Sequence, residues 1–176
     1  MAAITSLNEP DLEDLLAKYE LGGLERYWPA SNGVENTNYF VRVANKRGPH
    51  EVVVTMLERP PNSGALLVPL LDACADAGLP VAPILRNRQG SPSDQINGKP
   101  TLVSPRLAGR HVVNPTLRQC ESVGRFVARF HKATVPLRDH APEHPRNEAW
   151  LVQHAEHVRG HIPYTDYRLL RDSVES

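Results

Sequence analysis

Cysteine is scarce: Cys74 and Cys120 are the two in 176 residues, too few and too far apart for a disulfide framework or a zinc site. Each lies in a helix-like apolar pattern and is expected as a small core residue, which agrees with a reducing cytoplasm. No apolar run approaches the ~18 residues that a membrane helix needs. The opening MAAITSLNEPDLEDLL also lacks a basic start followed by an apolar stretch. A soluble, cytoplasmic protein with no membrane partner is therefore expected. An excess of charge of one sign is missing too: Lys+Arg and Asp+Glu are both 20, so no field favours nucleic acid or an anionic surface. There is no internal repeat and no low-complexity tract. A chain of this length can bury about 70% of its unfolded surface in one domain, or in a small domain and part of a second.

Proline, by contrast, is abundant, 16 in 176 residues against an average share of about 5%, so much of the chain is turns and fixed connections. Asn8 predicts a helix cap, with Glu9, Pro10 and Asp11 in the first turn. Leu12, Leu15, Leu16 and Tyr19 follow on one face until Gly22-Gly23 stops the helix. Tyr39 to Val43 and Glu51 to Leu57 are rich in β-formers around the polar ANKRGPH, which predicts an antiparallel hairpin. Between Gly64 and Ala77 the apolar spacing of Leu67, Leu70, Leu71 and Cys74 predicts a helix whose regular part begins near Pro69 and stops at Gly78 and Pro80. VAPILR and PTLVSPRL then read as two strands around the turn-rich NRQGSPSDQINGKP. Asn114-Pro115 reads as a cap and first turn for a helix with Leu117, Cys120, Gly124, Val127 and His131 on one stripe. Gly124 on that stripe predicts close approach by another element, and His131 at its end predicts a packed core histidine rather than a general base. NEAWLVQHAEHVRGHI and DYRLLRDSVES both read as helical. The expected fold class is α+β: residues 1–103 as a lobe of antiparallel strands with one main helix, 104–113 as a connector, and 114–176 as the beginning of a helical lobe.

One short stretch, ASNGVENTNYFV, concentrates Ser31, Asn32, Asn36, Thr37 and Asn38 around Gly33 before a strand. Such residues suit a tight turn. They suit equally a loop that offers backbone N–H groups to phosphate oxygens. Five histidines, His140, His144, His154, His157 and His161, crowd another region. The last three have a spacing able to chelate a transition metal, but no acidic or cysteine ligand accompanies them in a recognised pattern, so no metal site is expected there.

Taken in order, SNGVENTNYFV, EVVVTMLE, AGLPVAPIL, LVSPRLAGRHV, VGRFVARFHKAT and HPRNEAW resemble the bacterial homoserine kinases built on the aminoglycoside-phosphotransferase version of the protein-kinase-like fold. The resemblance covers nearly the whole chain and is densest at Glu35 to Phe40. It implies that Ser31, Asn32, Gly33, Val34, Glu35, Asn36, Thr37 and Asn38 cover the phosphates of ATP. It also implies that Ser104, Arg106 and Leu107 lie where the connector holds adenine by backbone hydrogen bonds. The cofactors implied are ATP and Mg²⁺, the acceptor is L-homoserine, and the reaction belongs to threonine biosynthesis.

There are departures from the kinase pattern. Where such folds place a lysine on the third strand, this chain has Thr55, a hydroxyl without charge, and the segment 64–77 has no glutamate. No His-Gly-Asp or His-Arg-Asp loop with a following Asn occurs. Catalytic and Mg²⁺-binding residues are thus expected beyond Ser176, with the chain an N-terminal portion that is inactive alone. Two alternatives stay open: a related kinase acting on an aminoglycoside, choline or another amino alcohol, and a kinase-like remnant that binds nucleotide without turnover.

Overall fold

A computed structural model describes residues 4–31, 35–58, 66–140 and 147–174. The chain runs α1 (Glu9–Leu16), β1 (Gly23–Pro29), β2 (Thr37–Asn45), β3 (Gly48–Met56), α2 (Leu67–Asp76), β4 (Asp94–Ile96), β5 (Lys99–Pro105) and α3 (Leu117–Thr134). A 3₁₀ turn (Val135–His140) follows, then α4 (Glu148–His157) and α5 (Tyr164–Val174). The strands form one antiparallel sheet in the order β1-β2-β3-β5-β4. The α+β class expected from the sequence is the one observed. Residues through His140 form one compact unit and those from Ala141 a second.

Alternation divides the sheet into two faces. Tyr39, Val41 and Val43 on β2, Val52, Val54 and Met56 on β3 and Val103 on β5 point to the side covered by α1. There they pack with Leu12, Leu15, Leu16 and Tyr19. Asn8 caps α1 as its sequence predicts, its side chain accepting the Asp11 N–H at 2.8 Å. The helix proper ends at Leu16, short of Gly22. Gly22 has φ +102°, and a Cβ there would lie 2.0 Å from the Ala44 carbonyl oxygen, so only glycine fits the step from α1 to β1. The opposite face is only partly covered. α2 brings Leu67, Val68 and Leu71 against Leu57, Ile84 and Leu102, with Pro69 in its first turn as expected.

Several expectations are corrected. β1 lies in a stretch for which no element was expected: Gly23–Pro29 pairs along β2. VAPILR is not a strand: Pro80 and Pro83 flank or interrupt it without an N–H to donate, and it is tied to the sheet through Leu85 N–H to the Val103 carbonyl. β4 lies instead inside the segment read as turn, and reverses into β5 through Asn97 (φ 51°) and Gly98 (φ 74°). α3 begins two residues after the expected Asn114-Pro115 start because Thr116 and Gln119 form a reciprocal capping box. Along α3, Cys120 and His131 are exposed rather than buried, and nothing lies within 4 Å of a Cβ placed on Gly124. Phe126, Phe130, Ala133 and Thr134 of α3 are half-buried, the two phenylalanine rings stacked on each other with centroids 6.4 Å apart. Arg129 joins α3 to the end of α2 by donating to the Ala77 and Gly78 carbonyls at 2.9 and 3.1 Å. Cys74 is buried, as expected.

In the second unit Asn147 caps α4. Tyr167 of α5 is buried, and its hydroxyl donates to Glu156 at 2.5 Å. His154 and His157 each place Nδ1 at 2.8 Å from a carbonyl one turn back. Among the described residues no group of three His, Cys, Asp or Glu side chains is placed to hold a metal ion.

Candidate functional site

The half-open face of the sheet carries the candidate site. Register places Trp28 beside Phe40, Phe40 beside Val53 and Val53 beside Ser104, all on that face. One row along, Asn38 pairs with Thr55 and Thr55 with Leu102. Where the sheet runs into the connector, a hollow of about 510 Å³ opens, lined by Ala30, Ser31, Phe40, Val53, Arg106, Leu107, Gly109, Arg110 and His111. Its floor is apolar and aromatic, one wall is irregular backbone, and its charged lining residues are basic. An apolar slot for a planar ring with polar backbone at one edge and positive charge at the rim matches a nucleotide better than a purely apolar ligand.

The expected site residues divide into groups. Ser31, Arg106 and Leu107 line the hollow, and Ser104 lies on the same face beside it. Thr55 and Asn38 also share that face, and the Thr55 hydroxyl donates to the Asn38 side-chain oxygen at 2.7 Å. Thr55 is thus a positioning contact for the strand that follows the loop. Asn32, Gly33 and Val34 lie outside the described residues, and Glu35 is exposed. Thr37 does not face the hollow: it is fully buried on the opposite side, its hydroxyl accepting the Ile4 and Thr5 N–H groups at 3.0 Å and donating to Glu58 at 2.5 Å. The amide of Arg106 is engaged in the ladder with the Glu51 carbonyl at 3.0 Å. The N–H of Leu107, by contrast, has no backbone partner among the described residues.

Thr37 belongs to a network absent from the sequence reading. Glu58, its side chain 8% exposed, is paired with Lys99. It accepts from the hydroxyls of Thr37 and Thr5, and its own N–H reaches the Asn36 side-chain oxygen at 3.4 Å. Burial alone would raise the Glu58 carboxyl, but hydrogen bonds from Lys99, Thr37 and Thr5, with the Lys99 charge, bring it from 4.5 down to about 2. The network anchors Asn36 and Thr37, the C-terminal end of the loop, to the start of β5. It does not replace the missing strand lysine, because it lies on the α1 side of the sheet. Phe40 and Val53 were legible in principle, since each is two residues from an expected site residue and shares its face. Glu58 and Lys99 are 41 residues apart and carried no local signal.

Residues 27–171 match the family described as the Phosphotransferase enzyme family. A homoserine kinase of Pseudomonas aeruginosa is 35% identical over 177 residues, covering 99% of this chain and 54% of its own length. A homoserine kinase of Methylobacillus flagellatus is 29% identical over 178 residues with the same coverage, 99% and 54%. The chain thus spans about half the length of the curated relatives it matches. Among solved structures, a spectinomycin phosphotransferase in complex with ADP and spectinomycin superposes with a TM-score of 0.65 at 12% identity, over 89% of this chain and 46% of that one. An aminoglycoside phosphotransferase from Alicyclobacillus acidocaldarius gives 0.60 at 14%, over 86% and 45%. At those identities the likeness shows the fold, a kinase-like α+β arrangement.

Proposed function

The chain belongs to the phosphotransferase enzyme family, and from that premise we propose that it is the nucleotide-binding part of a kinase that transfers the γ-phosphoryl group of ATP to the hydroxyl of L-homoserine. In that reaction the bond from the γ-phosphorus to the ADP oxygen breaks, a bond to the homoserine oxygen forms, and the hydroxyl proton leaves. In this reading residues 1–103 are the nucleotide lobe, 104–113 the connector and 114–176 the first helices of the acceptor lobe. The observation that carries it is the hollow between Phe40, Val53 and the connector at Arg106 and Leu107. The base would lie on Phe40 and Val53 with its edge toward the Leu107 amide, and the phosphates would run toward Ser31 and the loop that follows. Mg²⁺ would supply charge neutralisation at the phosphates. The described residues offer it no cluster of ligands.

The acceptor follows the sequence relatives, which are homoserine kinases, one of them 35% identical over 99% of this chain. The aminoglycoside phosphotransferases, at 12% and 14%, support the fold but not an acceptor. The 176-residue chain alone is expected to bind nucleotide without turnover, because positioning the acceptor hydroxyl supplies much of the rate in this chemistry. Titration of the chain with ADP and ATP should give saturable binding. ADP release dependent on homoserine, measured by a coupled assay, should stay at the rate without protein. Turnover clearly above that rate would mean that the acceptor-orienting groups are already among these residues. In a protein that joins these residues to an acceptor lobe, faster transfer to spectinomycin or choline than to homoserine would move the assignment within the family.

A further inference from the structure

Arg106 reaches the proposed site through its side chain rather than its amide. The guanidinium carbon lies 4.0 Å from the centre of the Phe40 ring and 5.7 Å from that of Trp28. Nη1 is 2.5 Å from a Glu51 carboxylate oxygen. Arg26 approaches the same carboxylate at 4.0 Å and lies 4.8 Å from the Trp28 ring. A planar cation placed over an aromatic face and held by a carboxylate is attracted both by the ring quadrupole and by a charged hydrogen bond.

Phe40 carries the sole phenyl or indole ring among the residues lining the hollow. A heterocycle stacking there needs the plane that the guanidinium holds, and the two cannot share it. The geometry points to a self-occupied base site: Arg106 covers Phe40 until an incoming base displaces it, and Glu51 sets how firmly it is held. This rests on the nucleotide reading of the hollow. Displacing a cation from a partly exposed ring and loosening a surface ion pair together weaken binding of the base about fivefold to tenfold.

The test is calorimetric titration of the full 176-residue chain with adenosine, which has no phosphates to respond to lost charge, and with ADP. Arg106→Ala should bind adenosine about fivefold to tenfold more tightly than the parent. Glu51→Gln should also bind more tightly, because the guanidinium loses its anchor. Arg106→Lys, which keeps the charge but not the planar fork, should fall between parent and alanine variant. The double variant R106A/E51Q should gain nothing over R106A, because the anchor matters only while it holds the guanidinium. In a Trp150→Phe background, adenosine should change Trp28 emission in the parent and change it less in R106A. Equal or weaker adenosine binding by R106A, at an unchanged melting temperature, overturns the competition while leaving the nucleotide reading intact. If R106A proves poorly folded, the E51Q titration decides in the same way. Failure of parent and variants alike to bind adenosine or ADP removes both the reading and the inference.

Discussion

On the inner face of the sheet Val41, Val43, Val52, Val54 and Val103 are 0 to 1% exposed, whereas along α3 Leu117 is 85% and Val127 40% exposed. Both segments are regular apolar patterns, one of period two and one of steps of three and four, and each announced its element type. They differ in what covers them. Each strand finds its hydrogen-bonding neighbours in β1 to β5 and its apolar partner in α1, all of them within the first unit. The stripe of α3 finds no such partner among the described residues, and the helix is tied to the end of α2 through its other side, by Arg129. A pattern identifies an element and its apolar face, but not which element lies against that face.

The sharpest expression of the difference is core truncation. Leu12→Ala removes a fully buried side chain between α1 and the sheet and should lower unfolding stability by about 2–5 kcal/mol, read from urea unfolding followed by circular dichroism. A loss below about 1 kcal/mol would mean that α1 is not docked on the sheet, and the contrast with α3 would disappear.

The same contrast accounts for what was legible. Where neighbours in sequence are neighbours in space, local chemistry sufficed: Asn8 as a cap, the β2/β3 hairpin, Pro69 in the first turn of α2. β1 was hidden because the register shifts between Leu24 and Arg26, which breaks its alternation. β4 was hidden by its length of 3 residues, although the Asn97-Gly98 pair is itself a strong hairpin signal. Exposure of Cys120 and His131 could not be read from a stripe that shows only its own regularity. At the site, Ser31 and Leu107 line the hollow. Thr37 does not, because strand alternation turns it toward α1 while Asn38 lies on the hollow's face of the sheet, beside Thr55. The Glu58–Lys99 network joins segments far apart in sequence, and no local pattern reports it.

Glu58→Gln probes the network that ties the loop end to the sheet. The amide keeps the shape but loses the charge that Lys99 meets. The expected cost is about 1–3 kcal/mol at neutral pH, because the partners are buried or half-buried. The pH dependence has a definite sign. The Glu58 carboxyl sits below its ordinary 4.5, at about 2, so the folded state binds its proton less readily than the unfolded state. Its stabilisation is fully present above about 4.5 and is lost as pH falls toward 2. Melting temperatures between pH 6 and 2 should show that acid loss in the parent and a shallower slope in the variant. Parallel slopes would show that Glu58 is not the group responsible.

Thr116→Ala acts on the other half of the comparison. With little of α3 buried, its first turn depends on the capping box, in which the Thr116 hydroxyl accepts the Gln119 N–H at 3.3 Å and the Gln119 side chain accepts the Thr116 N–H at 2.8 Å. Removing the hydroxyl should cost about 1 kcal/mol. The cost should appear mainly as faster amide exchange in the first turn of α3, with the sheet unaffected. Slower exchange, or a loss spread evenly over the sheet, would contradict a cap that acts locally.

The smallest expected effect is the most direct test of the exposed stripe. Val127 lies on it, 40% exposed, so Val127→Ser should change the stability of the 176-residue chain by no more than about 0.5 kcal/mol, the range of ordinary surface substitutions. Phe130→Ala, four residues earlier than Thr134 on the half-buried side of the same helix, should cost more, because it removes the ring stacked on Phe126 and half-covered in the unit. The two substitutions share a helix and a cap, and helix propensity favours Phe130→Ala, because alanine is the better helix former, so a larger loss at Phe130 measures which side of α3 is packed. Equal losses would mean that both faces are covered in solution. A larger loss at Val127 would reverse the assignment, returning the stripe of Leu117, Cys120, Gly124, Val127 and His131 to the buried role its spacing alone predicts.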